Sequence, residues 1–237
     1  MSILIEHIKG LVLATEDGPV KKTGQELQNL DVIEDAFLHI RNGRIVSYGK
    51  MEDLNGIEAD RKFNASGRFV LPSYIDTHTH LVFPQSREEE FRLKIKGASY
   101  EEIAAAGGGI LNSSKKLRSA TEEELLEGAQ ERLDEIIRLG TGAVEIKSGY
   151  GLSVEGELKM LRVIKKLKEL SAIPIKATFL SAHALPPEYR GNKDVYIRQI
   201  IEEMLPEIKK GGLADYIDIF IEEGFYNLED AEKVIEA

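Results

Sequence analysis

The stretch "IDTHTHLVF" (75–83) sets two histidines, His78 and His80, one residue apart in a chain with five histidines among 237 residues. On an extended strand, residues i and i+2 face the same side, so both imidazoles project together while Thr77 and Thr79 turn away. Neutral imidazole is a ligand for Zn²⁺ or Fe²⁺, and two on one strand end make half a coordination sphere. The same spacing suits two polar side chains on the wet face of a half-buried strand, and H-x-H alone does not separate the readings. His183 ends the apolar run "IKATFLSAH". It can act catalytically, polarising a carbonyl or donating to a developing negative charge, or it can bond a backbone carbonyl at a strand terminus. Tyr150, in the Gly-flanked "SGYG", can donate to a ligand or pack within its loop. Arg87 offers a planar fork suited to a carboxylate, or lies solvated beside Glu88, Glu89 and Glu90. "AAAGGG" at 104–109 lacks the G-K-[ST] ending of a phosphate loop and reads as a flexible lid or helix cap.

Two textures must position these groups. Residues 1–67 read as a small β-rich, sandwich-like segment. "LIEHIKGLVLAT" alternates in part, and Asn42-Gly43 between two alternating runs is a strong hairpin signal. His7 and His39 fall in this segment and are assigned no function. From residue 68 strand and helix alternate. "RFVLPSYIDTHTHLVF" is the first strand candidate. Thr121 and Glu124 form a capping box ahead of a helix whose Leu125, Ala129, Leu133, Ile136 and Ile137 share one face and which Gly140 closes. "GAVEIKSGYG", "IPIKATFLSAH" and "YIDIFIEEG" are strands, "VEGELKMLRVIKKLKEL" is a helix, and "VYIRQIIEEML" is a helix with Pro206 near its end.

Such alternation calls for a parallel sheet. A closed eight-fold barrel takes roughly 250 residues, and residues 68–237 supply half of its strand–helix repeats. "NLEDAEKVIEA" starts a helix at Asn227 with no stop signal after it. The expected fold is therefore α/β: the first half of a TIM-like (β/α)8 barrel, cut inside a helix, after a β-sandwich-like segment. A small open α/β sheet is the alternative. In a barrel, His78, His80, Arg87, Tyr150 and His183 all lie at the C-terminal strand ends, where barrel enzymes keep their chemistry. A half barrel leaves strand edges and apolar side chains uncovered, so a homo-oligomer is expected.

Composition narrows the partners. A net charge of −10 excludes a basic nucleic-acid surface, and an anionic ligand needs a local cation. The absence of cysteine excludes disulfides and thiolate metal sites and fits a reducing compartment. "MSILIEHIKGLVLATEDG" has no basic n-region and does not read as a signal peptide. No run approaches the ~18 apolar residues of a membrane span. A cytoplasmic protein with no membrane partner is expected.

"VLPSYIDTHTHLVF" resembles the first-strand motif of the amidohydrolase superfamily, metal-dependent hydrolases with a barrel and a small β-sandwich. "THTHLVF", "SREEEF", "SYEEIAAAGGGI", "EIKSGYGL", "TFLSAHALPPEY" and "LADYIDIFIEEG", in that order from about residue 70 to 224, are similar to the imidazolonepropionase family within it. That resemblance implies hydrolysis of the cyclic amide 4-imidazolone-5-propanoate, a small anionic heterocycle, to N-formimidoyl-L-glutamate in histidine degradation. It implies one divalent metal ion, Zn or Fe, on His78 and His80, and substrate contacts from Arg87, Tyr150 and His183. Ser73 departs from the superfamily, which commonly has glycine there. The family's third metal histidine, its aspartate and its catalytic glutamate would lie beyond Ala237, so this chain alone is expected to hold metal weakly or not at all and to be inactive. Another amidohydrolase acting on a cyclic amide, or deaminating a heterocycle, would share H-x-H but not "SREEEF" or "EIKSGYG"; a non-catalytic binding module is the third reading.

Overall fold

The computed structural model describes residues 1–12, 22–99, 102 and 109–237. The chain divides into two compact units, Met1–Ser73 and Tyr74–Ala237.

In the first unit, strands β1 (Ser2–Val12), β2 (Val32–Arg41), β3 (Arg44–Lys50), β4 (Arg61–Asn64) and β5 (Phe69–Val70) form one sheet in the order β3-β2-β1-β4, with β5 also paired to β1. Strands β1 to β3 are antiparallel, while β4 and β5 run parallel to β1. Asn42 and Gly43 join β2 to β3 with φ of 52° and 75°. Two successive left-handed residues are what a type I′ hairpin turn requires, and Asn-Gly tolerates them best. The remaining histidines are used locally: His39 Nε2 lies 2.7 Å from Ser2 Oγ, and His7 Nδ1 lies 3.7 Å from Asp35 at a bulge in β1. Ile8, Leu11, Ala36, Leu38 and Ala65 make the core of this unit. The expected sandwich is a single sheet among the described residues. The unit also runs past the expected boundary at residue 67, because Phe69 and Val70 pair with Gly10 and Leu11.

The second unit is a parallel sheet of β6 (Tyr74–Thr79), β7 (Thr141–Lys147), β8 (Ile175–Phe179) and β9 (Tyr216–Ile217), paired in sequence order. Its α-helices among the described residues are α1 (Glu88–Ile95), α2 (Ile110–Ser119), α3 (Glu122–Arg138), α4 (Val154–Leu170), α5 (Lys193–Gln199), α6 (Leu205–Gly211) and α7 (Leu228–Glu236). Helix α3 has the expected capping box: Glu124 N donates to Thr121 Oγ1 at 3.1 Å and Thr121 N to Glu124 at 2.9 Å. Its Leu125, Ala129 and Leu133 are fully buried with Met160, Leu161, Ile164 and Leu167 of α4. Val144, Ile146, Ile175 and Phe179 of the sheet belong to the same cluster. Strand alternation then turns Glu145, Lys147 and Thr178 to the other face.

Three elements differ from the sequence reading. The first strand candidate is broken into β5 and β6, since Pro72 has no N–H to give a ladder. Pro206 lies in the first turn of α6, not at a helix end, and the chain reaches it through a π-helical turn, Ile200–Met204. A wider turn relieves the missing donor and the clash with the carbonyl four residues back. Only Tyr216 and Ile217 of "YIDIFIEEG" pair with β8. Of the "AAAGGG" stretch, 104–108 lies outside the described residues, and Gly109 is the N-cap of α2. No helix among the described residues is long and apolar enough to cross a membrane.

Asp215 ties β8 to the segment entering β9. Its N–H donates to Ala177 O at 2.8 Å. Its carboxylate accepts from Ala177 N at 2.9 Å, Lys168 at 2.8 Å and Lys176 at 3.2 Å. Burial opposes ionisation, yet these donors outweigh it and hold the group at about 2, below its ordinary 3.8. A carboxyl more acidic in the folded than in the unfolded chain stabilises above the unfolded value, and that stability is lost as pH falls through the folded one. Asp215→Asn is expected to destabilise the chain at pH 7 and to reduce the acid-induced loss of stability between pH 3.8 and about 2. Urea melts across that range check this; parallel wild-type and variant curves would contradict it.

Candidate active site

Four of the five residues singled out in the sequence come together at the C-terminal strand ends. The imidazoles of His78 and His80 have centroids 5.8 Å apart. His80 stacks on Tyr150 at 4.7 Å and on His183 at 5.2 Å, with interplanar angles of 21° and 7°. Tyr150 and His183 are 5.8 Å apart, and the Phe220 ring meets His183 edge-on at 6.0 Å. Arg87, at the N-cap of α1, instead donates through Nε to Glu90 at 2.7 Å, with a second contact from Nη2.

Each ring is placed by its element. Thr79, between the two histidines, turns toward β7 and donates to Glu145 O at 2.6 Å. After His80 the chain is pinned by Arg132 of α3, which donates to Leu81 O at 2.6 Å and Phe83 O at 2.8 Å and lies 3.6 Å over the Phe83 ring. Tyr150 rides on the loop leaving β7. The flanking glycines are required there: a Cβ on Gly149 would stand 2.8 Å from Leu180 O, and one on Gly151 would stand 2.3 Å from Glu157 N. His183 follows β8 after the buried Leu180–Ala182 and places Nδ1 3.1 Å from Gly149 O. A carbonyl only accepts, so the proton of neutral His183 sits on Nδ1 and Nε2 keeps its lone pair.

The local charges follow from burial. His80 is pushed down to about 4 from 6.5, first by burial and then by His183, His78 and Lys147. Burial likewise lowers His183, helped by His78 and opposed by its bond to Gly149 and by Asp218. Tyr150 is raised by burial, against the pull of Arg87, and keeps its phenolic proton. Lys147, buried on the polar face of β7, contacts Glu145 at 2.5 Å and Asp218 at 3.1 Å, and Thr178 donates to the same Glu145 oxygen at 2.6 Å. Burial lowers Lys147, but the two carboxylates outweigh it and keep it a cation. This cluster was missed in the sequence, where only the alternation of Glu145 and Lys147 with Val144 and Ile146 hints that one face of β7 is polar.

His80 Nδ1 is buried with no hydrogen-bond partner. An unsatisfied buried polar atom costs ~1–3 kcal/mol, and a neutral imidazole with an open lone pair is the form that ligates a divalent ion. The pair thus fits a metal in chemistry. Among the described residues, no group of three or more His, Cys, Asp or Glu side chains converges to hold one.

No protein-family model matches the chain. Among solved structures, a triazine hydrolase from Arthobacter aurescens has a TM-score of 0.62 at 16% identity, covering 99% of this chain and 50% of that one. A guanine deaminase from C. acetobutylicum with bound guanine scores 0.54 at 13% identity, over 100% of this chain and 50% of that one. A variant of atrazine chlorohydrolase from Arthrobacter aurescens, complexed with zinc and atraton, scores 0.50 at 17% identity, over 86% and 44%. At these identities the likeness is one of fold, and the chain has the α/β fold of these hydrolases and deaminases. Its sequence is closer to one group: imidazolonepropionase from Flavobacterium johnsoniae is 54% identical over all 237 residues, and that from Christiangramia forsetii is 48% identical over the same length. Imidazolonepropionase from Thermoanaerobacter pseudethanolicus is 40% identical over 99% of the chain. The chain is similar along its whole length to these imidazolonepropionases, as its motifs implied. It spans 58% of the length of the first two relatives and 55% of the third.

In metal-free protein the His80 ring is expected to titrate near pH 4 in an NMR titration, against 6.5 for an ordinary histidine. Because the unfolded chain takes this proton first, stability falls as pH drops below the unfolded value. A His80 midpoint near 6.5 would contradict the burial described here.

Proposed function

We propose that this chain carries the first half of a (β/α)8 barrel, after a β-rich segment, of a cytoplasmic metal-dependent hydrolase that opens 4-imidazolone-5-propanoate to N-formimidoyl-L-glutamate. One observation carries the reading: the clustered rings of His78, His80, Tyr150 and His183 stand at strand ends of a chain 54% identical throughout to an imidazolonepropionase. His78 and His80 would hold one divalent ion, zinc or iron, with further ligands from the rest of the whole protein. When bound, such an ion supplies Lewis acidity and lowers the pKa of a coordinated water.

The chain's own residues bind and orient. Arg87 offers its fork to the propanoate carboxylate in exchange for Glu90. Tyr150, protonated at neutral pH, donates its phenolic hydrogen bond to the substrate. Neutral His183, with its Nδ1 proton committed to Gly149, accepts at Nε2 from a ring N–H. Donation from His183 to a carbonyl or developing oxyanion needs its protonated form, which burial disfavours. The Tyr150 and His183 rings give a flat heterocycle an aromatic wall. The exposed Tyr74, Ile75, Tyr216 and Ile217 of the outer strands are faces that the remaining barrel strands, or a second copy in a homo-oligomer, would cover.

In the whole protein, His78→Ala is expected to abolish most turnover together with metal content. Normal turnover with a full complement of metal would refute the assignment. Arg87→Met removes a charged hydrogen bond of roughly 1.5–3 kcal/mol and is expected to raise KM about 10- to 100-fold. An unchanged KM would place the carboxylate elsewhere.

A further inference from the structure

Glu157, in the first turn of α4, has no exposed surface, and the chemistry above makes no use of it. One carboxylate oxygen accepts from Gly149 N at 2.9 Å, and the other accepts from Gly151 N at 2.8 Å and Leu152 N at 2.9 Å. The Ser148 hydroxyl bonds the same carboxylate and accepts from Leu180 N at 2.9 Å. The carbonyls of this loop are held from α2. Arg118 donates to Gly151 O at 3.2 Å and Leu152 O at 2.7 Å, and Ser114 Oγ donates to Gly151 O at 3.0 Å.

Burial pushes the Glu157 carboxyl up against the pull of its four donors, and Tyr150 is therefore flanked by residues gripped on their amide side by a buried carboxyl group and on their carbonyl side by a cation. The grip extends one step further, because Gly149, whose N–H binds Glu157, presents its carbonyl to His183 Nδ1. The loop needs such restraint. Gly149 has φ +108° and Leu152 has φ +47°, and a non-glycine residue in the left-handed region persists only where its surroundings over-determine it. A carboxylate is the side chain that can meet three convergent N–H groups; an amide would turn an NH2 group toward at least one of them.

We propose that Glu157 is a positioning residue that, with Arg118 opposite, holds the Ser148–Leu152 loop so that Tyr150 and His183 stack over His80. The role of these rings toward substrate rests on the function proposed above; the clamp itself does not. The test uses NMR of the metal-free chain, reading the ring-proton shifts of His80 and His183, which the Tyr150 ring current displaces. Tyr150→Leu gives the values with that ring gone. Glu157→Gln is expected to move both sets most of the way to those values and to release the Nδ1–H tautomer of His183. Arg118→Leu is expected to move them part of the way. A folded Glu157→Gln variant with wild-type shifts overturns the proposal. If that variant does not fold, wild-type shifts in Arg118→Leu overturn it equally. In the whole protein Glu157→Gln is expected to lower kcat/KM about a hundredfold, the usual cost of a misplaced group. Shifts that move as expected, with turnover normal in Tyr150→Leu, support the clamp and remove the proposed substrate role.

Discussion

Four strands running the same way, with helices over one face, place every strand exit on one rim. Parallel pairing forbids a short return, so β6, β7 and β8 are each followed by a crossover that must bury its own apolar stripe. Leu125, Ala129 and Leu133 of α3 and Met160, Leu161 and Ile164 of α4 do so against Val144, Ile146, Ile175 and Phe179, each large apolar side chain contributing roughly 1.5–3 kcal/mol. The face so covered fixes the direction of the other. Alternation leaves Glu145, Lys147 and Thr178 away from the helices, and Asp218 joins them.

That polar face sets the chemistry of the rim. Charges removed from water are tolerated when paired and hydrogen-bonded, and Lys147 is kept charged by Glu145 and Asp218. His80, buried beside this cation and two other imidazoles, stays neutral. Tyr150 and His183 reach it on loops whose backbone groups are satisfied by Glu157, Arg118, Ser114 and Ser148. Buried irregular backbone is costly unless its N–H and C=O groups have partners, and here the partners are side chains from two helices and the loop's own Ser148.

Much of this was legible residue by residue. The Asn42-Gly43 turn, the Thr121–Glu124 capping box and the stripe of α3 depend on neighbours within a few positions, and each appears where its spacing put it. "VEGELKMLRVIKKLKEL" is helical from end to end. Expectations failed where a distant partner decided the outcome. Phe69 and Val70 pair with β1 and not in line with β6, β9 pairs with β8 only through Tyr216 and Ile217, and a π-turn carries the helix past Pro206. Glu157 left one trace: it falls on the stripe of Met160, Leu161 and Ile164, where the period wants an apolar residue.

The amino-acid order alone determined the local alphabet of this chain, its turns, caps and helical stripes, the spacing of His78 and His80, and its likeness to the imidazolonepropionases. These depend on spacing and on residue type, which a linear text contains. Only the tertiary structure decided that Tyr150 and His183, from two further strand ends, stack on His80, that Arg87 is engaged by Glu90, and that a buried carboxylate holds the loop between them. Those outcomes hang on which backbone groups meet across long stretches of chain and on how much water is left around them, and neither is written in any short run of residues.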